Sequence, residues 1–199
     1  MEHQTGNNDA RTAEEQKKSI LLYLRDMAYL VTAVVLVFSL CFRVVIVSGP
    51  SMKNTLVDGD WLLLLGNTFY NDPARGDIVV VSKDSYDDGT PIIKRVIALE
   101  GQKVDIDFES GIVYVDDVAL EEPYVRTVTT TPEGVEFPVT VPGGCVFVLG
   151  DNRNNSRDSR YPAIGMVDTR EILGKAIFLF FPGNEKGAVK REFSRIGVV

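Results

Sequence analysis

A chain of 199 residues with a single histidine, His3 at its extreme N-terminus, cannot build a Ser-His-Asp triad, a Cys-His protease or a polyhistidine metal site in its main body. A base able to activate a nucleophile must therefore be a lysine, because arginine never releases its proton. Lys94 is the best placed. In the run Ile92-Ile93-Lys94-Arg95-Val96-Ile97-Ala98-Leu99, strand alternation sets Ile92, Val96 and Ala98 on the face of Lys94. An ammonium group desolvated among those side chains has its pKa lowered. The same pattern also fits Lys94 and Arg95 as two surface charges on an edge strand, since Arg95 has apolar neighbours of its own.

Ser51 is the candidate nucleophile. It lies in Ser48-Gly49-Pro50-Ser51-Met52-Lys53-Asn54-Thr55-Leu56, where a serine could equally serve as a turn residue or helix N-cap. The third segment is Gly150-Asp151-Asn152-Arg153-Asn154-Asn155-Ser156-Arg157-Asp158-Ser159-Arg160, without one apolar side chain. A solvated loop would have this composition. Aspartate and arginine at two-residue spacing also suit fixed bidentate pairs.

The elements that must hold these groups read as β-structure. Short apolar runs recur at Trp61–Leu65, Ile78–Ser82, Ile92–Leu99, Val104–Ile106, Ile112–Val115, Cys145–Leu149 and Lys175–Phe181. Turn signals such as Asp58-Gly59, Asp88-Gly89, Glu100-Gly101, Ser110-Gly111 and Pro142-Gly143-Gly144 separate them. Many short strands with tight turns predict an all-β barrel or pair of packed sheets over residues 48–182, with a looser insertion about 116–141. Trp61–Leu65 fits either a fully buried strand or a segment in contact with lipid.

The N-terminal part differs. The first 19 residues are polar, within an N-terminal segment of residues 1–26, and Thr12-Ala13-Glu14-Glu15 fits a capping box at a helix start. From Met27 to Phe42 sixteen residues carry no charge, a helix of about 24 Å against a bilayer core of about 30 Å. Continuing through Val47, with Arg43 snorkelling, completes a transmembrane helix over 27–47. No small-x-small cleavage site follows, which favours an uncleaved anchor over a signal peptide. Arg11, Lys17, Lys18 and Arg25 precede the span and only Arg43 and Lys53 follow closely. The positive-inside rule then puts the N-terminus in the cytoplasm and the β-domain outside the cell membrane.

Charge and cysteines exclude other classes. With 28 acidic and 21 basic residues the formal charge is −7, which argues against nucleic acid as a partner. Residues 1–43 hold five acids and five bases, so the acidic excess lies entirely beyond them. Cys41 and Cys145 are too few for a disulfide framework and lack metal spacing. No metal or organic cofactor is implied.

Taken together, in this order behind an apolar span, these three segments and a fourth between the first two resemble the bacterial type I signal peptidases, which use a serine–lysine dyad. Gly49-Pro50-Ser51-Met52 with Thr55-Leu56 resembles the nucleophile motif, and Arg75-Gly76-Asp77-Ile78-Val79-Val80 the strand motif that follows. Ile93-Lys94-Arg95-Val96-Ile97 through Glu100-Gly101 resembles the general-base motif, and Gly150–Arg160 the last. The compact serine motif behind one span looks like the small Gram-positive type. The resemblance implies the β-fold of packed antiparallel sheets shared by signal peptidases and autocleaving repressors. It also implies membrane-bound endopeptidase activity that removes signal peptides after small residues at positions −1 and −3. Exported preproteins are then the substrates, the lipid bilayer the setting, and the protein translocation machinery a fitting partner.

By the same resemblance Ser51 is the nucleophile and Lys94 the general base, with Ser156 hydrogen-bonding the Lys94 amine. Gly49 occupies the position of a second oxyanion donor. Asp158 and Arg160 pair to fix the last loop, and Asp151 and Arg153 hold its base. Three positions depart from the family pattern: Asn54 and Glu100 replace prolines, and Gly49 stands where some members have serine. Two other readings remain: a membrane-anchored β-module that binds a partner without catalysis, and a peptidase dedicated to pilin or surface proteins. Residues 183–199 suggest no role.

Overall fold

The computed structural model describes residues 5–184 and 191–199, with side chains from residue 16 onward; His3 lies outside the described residues. Two units emerge, residues 1–41 and 42–199.

The first unit is one helix, α1, Thr5–Cys41. Residues 12–15 lie within it rather than at its start, and their side chains are outside the described residues. From Gln16 to Cys41 the helix is long and apolar enough to cross a membrane, about 39 Å at the helical rise. Its apolar side chains, Leu21, Leu30, Val35 and Leu40 among them, are exposed, as a lipid-facing helix requires. The helix ends at Cys41, whereas the apolar run predicts continuation to Val47. Phe42–Ile46 is instead strand β1, paired antiparallel with Trp61–Gly66, β2. The β-branched run Val44-Val45-Ile46 favours a strand once a partner strand is available.

Among the described residues the second unit contains two antiparallel sheets. The larger is built from β1, β2, β3 (Ile78–Val81), β4 (Ile92–Ala98), β9 (Cys145–Leu149), β10 (Val167–Asp168), β11 (Ile172–Phe181) and β12 (Gly197–Val198). Its order is β1-β2-β11-β3-β4-β9-β10, with β12 on β11. The smaller contains β5 (Lys103–Asp107), β6 (Ile112–Val115), β7 (Val118–Ala119) and β8 (Val139–Thr140), in the order β7-β6-β5-β8. Ile97, Ala98, Phe147 and Leu149 of the large sheet share one core with Val104, Ile106, Val113 and Val115 of the small one. That shared core packs the sheets together.

Two details bear on the site. Strand β4 lies between β3 and β9, so Lys94 and Arg95 are central and not edge residues. A register shift between Val96 and Ala98 turns Ala98 away from the Lys94 face. Val96 joins the cluster of Val79, Val81 and Val148, whereas Ala98 joins the core between the sheets. Trp61–Leu65 alternates: Leu62 and Leu64 are buried, Trp61 is exposed, and Leu63 and Leu65 lie between. Such a strand has one face in the core and one facing outward.

Candidate active site

Ser51 sits in a turn joining β1 to β2. The turn is rooted by its apolar residues: Val47, Met52 and Leu56 are buried against Leu62, Leu64, Ile78, Val80, Ala176 and Leu179. Each such burial contributes about 1.5–3 kcal/mol, so the residues flanking Ser51 are fixed in the core. Asn54 has φ +110°. Proline, locked near −65°, could not stand there, whereas asparagine tolerates positive φ.

Lys94 enters from β4 and is 2% exposed. Its Nζ donates to Ser51 Oγ at 2.9 Å and to the Ile93 carbonyl at 2.8 Å. Burial lowers its pKa from 10.5 to about 8; Asp158 and Asp151 oppose the shift and Arg160 adds to it. Both residues line a cleft of about 390 Å³ with Ser48, Ile92, Asn155 and Ser156. A lysine so close to neutrality, in contact with a hydroxyl, can take the hydroxyl proton as the oxygen attacks an electrophile.

The polar loop after β9 is buried rather than solvated. Asp151, Asn152, Arg153, Ser156, Asp158, Ser159 and Arg160 all lie inside. Arg160 grips Asp158 with two hydrogen bonds of 2.8 Å and donates to the Thr131 carbonyl at 2.9 Å. Asp158 also accepts from Gly150 N–H at 3.0 Å. Asp151 and Arg153 do not pair with each other. Arg95 binds Asp151 through Nε at 2.9 Å and Nη2 at 2.7 Å, and Thr55 Oγ donates to the same carboxylate. Arg153 takes Glu122 and Thr129 from the 116–141 segment and the Gly150 carbonyl from its own loop. Thus the expected looser insertion supplies the counter-charge of a fully buried arginine.

This loop clamps the serine turn. Asn152 donates its backbone N–H to the Ser51 carbonyl at 2.9 Å and its side-chain amide to the Pro50 carbonyl at 3.0 Å. Gly150 is needed for the approach: a Cβ there would lie 2.6 Å from the Ser51 carbonyl oxygen and 2.1 Å from Ser156 Oγ.

Two expected contacts are not made. Ser156 Oγ is buried without a hydrogen-bond partner among the described residues, because the Lys94 amine is directed to Ser51 and Ile93. Gly49, at φ +90°, donates its N–H to Asp58 Oδ1 at 2.8 Å, so that group is already engaged and is not an available oxyanion donor. Glu100, the other departure, accepts from Gly144 N–H at 2.7 Å and ties the turn after β4 to the one before β9.

Sequence reasoning missed Arg95 as the link between the base strand and the last loop, and Asn152 as the clamp. An arginine beside apolar residues in a central strand demands a buried acid, and that was the available signal for Arg95. No signal singles out Asn152. Among the described residues no group of three or more His, Cys, Asp or Glu is placed to hold a metal.

A family model described as signal peptidase, peptidase S26, matches residues 20–181. A probable signal peptidase I-1 from Synechocystis is 40% identical over 173 residues, covering 81% of this chain and 84% of that protein. Signal peptidase I T of Bacillus subtilis is 31% identical over 198 residues, covering 96% of this chain and all (100%) of that protein. A crystal structure of a signal peptidase I from Enterococcus faecalis aligns with 31% identity and a TM-score of 0.43, covering 53% of this chain and 97% of that one.

Proposed function

The chain belongs to the peptidase S26 family of signal peptidases, and we propose that Ser51 and Lys94 perform its reaction, cleavage of signal peptides from exported preproteins. The observation that carries this reading is the 2.9 Å hydrogen bond between Lys94 Nζ and Ser51 Oγ at a lysine drawn toward neutrality by burial.

Neutral Lys94 takes the hydroxyl proton as Ser51 Oγ attacks the scissile carbonyl, and a tetrahedral intermediate forms. Lys94 returns the proton to the leaving amine, and an acyl-enzyme on Ser51 remains. The same amine then deprotonates a water, whose attack releases the signal peptide and restores the serine. The Ser51 backbone N–H makes no hydrogen bond among the described residues and is our candidate donor to the oxyanion; loss of such a donor typically costs about 10²–10³ in rate. Arg95–Asp151, Asp158–Arg160 and Arg153–Glu122 hold the loop that clamps the serine turn. Substrates carry small residues at −1 and −3.

We place the β-domain outside the cell membrane and the N-terminus in the cytoplasm, on the excess of lysine and arginine before the uncharged stretch that starts at Met27: Arg11, Lys17, Lys18 and Arg25 against Arg43 and Lys53 after it. In this setting the bilayer and the translocation machinery are the surroundings in which preproteins arrive.

Cleavage of a signal-peptide substrate with Ala-x-Ala before the scissile bond, by full-length protein in detergent, tests the reading. Wild type cleaves after the second Ala and Ser51→Ala loses at least about 10³-fold in turnover. Equal cleavage by both removes Ser51 as the nucleophile. Cleavage confined to pilin-type or surface-protein substrates marks a dedicated enzyme. Absence of cleavage with every preprotein, both proteins being folded, leaves a binding module.

A further inference from the structure

Residues 191–199 lie outside the segment matched to the family model, yet they reach the turn that carries Ser51. Strand β12 pairs with β11 through Val198–Phe178 and Gly197–Leu179, and Val199 packs on the core that buries Met52 and Leu56. From this fixed base Arg195 extends its guanidinium to Asp60, with Nη1 at 2.9 Å from Oδ1 and Nη2 at 2.6 Å from Oδ2. Nη2 also donates to the Thr55 carbonyl at 3.2 Å.

Asp60 closes the turn. It is fully buried (0% exposed), its carboxylate accepts from Val57 N–H at 2.7 Å, and its carbonyl accepts from Val47 N–H at 2.8 Å. Gly59 N–H returns to the Val47 carbonyl at 2.9 Å, so the two ends of residues 47–60 are bonded to each other. Gly183 enters the same contact: its N–H donates to Asp60 at 2.6 Å, and a Cβ there would lie 2.2 Å from the Asp58 carbonyl oxygen. Thr55 is held twice, its hydroxyl by Asp151 and its carbonyl by Arg195. The serine turn is thereby gripped by the polar loop on Asn152 and Asp151 and by the C-terminal segment on Arg195.

We infer that residues 191–199 are a positioning strap for the serine turn, with Arg195 as the positioning residue that keeps Ser51 in register with Lys94. This deepens the proposed reaction and rests on Ser51 being its nucleophile. Removing the guanidinium takes two charged hydrogen bonds from Asp60 but leaves those of Val57 and Gly183. The turn then keeps its buried anchors and loses its fixed placement. A shift of about 1 Å between reacting groups costs on the order of 10²-fold in rate.

The test is Arg195→Gln and Arg195→Ala in the full-length protein, assayed on a signal-peptide substrate at a temperature where circular dichroism finds both folded. The expected result is a fall in kcat of about ten- to a hundredfold, with KM changed less than about twofold and the acid limb of the pH profile unmoved. Millimolar guanidinium restores a measurable part of the rate to Arg195→Ala and none to Arg195→Gln, whose side chain still fills the site. Asp60→Asn combined with Arg195→Gln loses no more than the worse single variant. A wild-type kcat in Arg195→Gln, or a loss that merely follows the folded fraction, overturns the strap while leaving the serine assignment intact. Retained cleavage by Ser51→Ala overturns the serine assignment itself, and the strap inference with it.

Discussion

Two sets of charged side chains are buried within this domain, and they meet the cost of burial in opposite ways. Arg153 and Arg160 are fully enclosed (0% exposed), and each meets a carboxylate with two hydrogen bonds, Glu122 in one case and Asp158 in the other. Lys94 is almost as enclosed at 2%, but its amine meets only a hydroxyl and a carbonyl, with no carboxylate in contact among the described residues. Arginine cannot shed its proton, so its burial demands a partner. Lysine can, and its pKa falls to about 8. Burial sets the cost in both places. The partner decides whether the charge remains.

Replacing the lysine sharpens the contrast most. Lys94→Met is expected to lower turnover by at least about 10³-fold, yet to raise stability at pH 7 by roughly 3 kcal/mol, the difference between a pKa of 10.5 and about 8. The sign follows from proton counts. Between pH 8 and 10.5 the unfolded chain holds a proton that the folded chain has released, so wild-type stability rises with pH through that window. Below it, both states are charged and the full penalty remains. Denaturant titrations at pH 7 and pH 10 of wild type and variant check this, and a destabilised variant at pH 7 would break the comparison.

The opposite response is expected in the polar loop. Asp158→Asn leaves Arg160 enclosed without its counter-charge and should cost about 3–5 kcal/mol, seen as an earlier denaturation midpoint. It should also move the acid limb of activity to lower pH, because Asp158 opposes the lowering of the Lys94 pKa. An unmoved limb would mean that the two regions are electrostatically independent.

In the wild type, kcat/KM should follow the neutral fraction of Lys94 and fall about 50-fold between pH 8 and pH 6. A flat profile over that range would remove the lysine as base. The smallest effect is expected from Glu122→Gln, about 1–2 kcal/mol of stability, since the Glu122 side chain of this pair reaches solvent (11% exposed) whereas the Asp158–Arg160 pair is wholly enclosed (0%). A loss as large as that of Asp158→Asn would show that Arg153 depends on Glu122 as completely as Arg160 does on Asp158.

The β-texture beyond residue 47, the serine, the lysine and the polar loop were readable as residue types in short local patterns. What escaped depended on partners distant in the chain. Hydropathy treats Phe42–Ile46 as an extension of the apolar helix, because an apolar edge strand and a lipid-facing turn of helix have the same composition; only the pairing with Trp61–Leu65 separates them. Spacing suggested Asp151 with Arg153, but their partners are Arg95, Thr55, Glu122 and Thr129, far away in sequence. The bulge after Val96 reversed the face of Ala98, a one-residue slip that period-two reasoning cannot see. Arg195 was silent because its partner Asp60 lies far away in sequence and the local run Arg191-Glu192-Phe193-Ser194-Arg195 carries no pattern that points to it.

Met52 and Leu56 place the residues around Ser51 inside a buried core of the domain (1% and 0% exposed). Segments with few buried contacts can open on their own, whereas core segments open only with the whole fold. The serine turn belongs to the second kind. Amide exchange at Thr55 and Leu56, both bonded to the Met52 carbonyl, should therefore require global unfolding, and catalytic competence should be lost in the same cooperative step as the sheets.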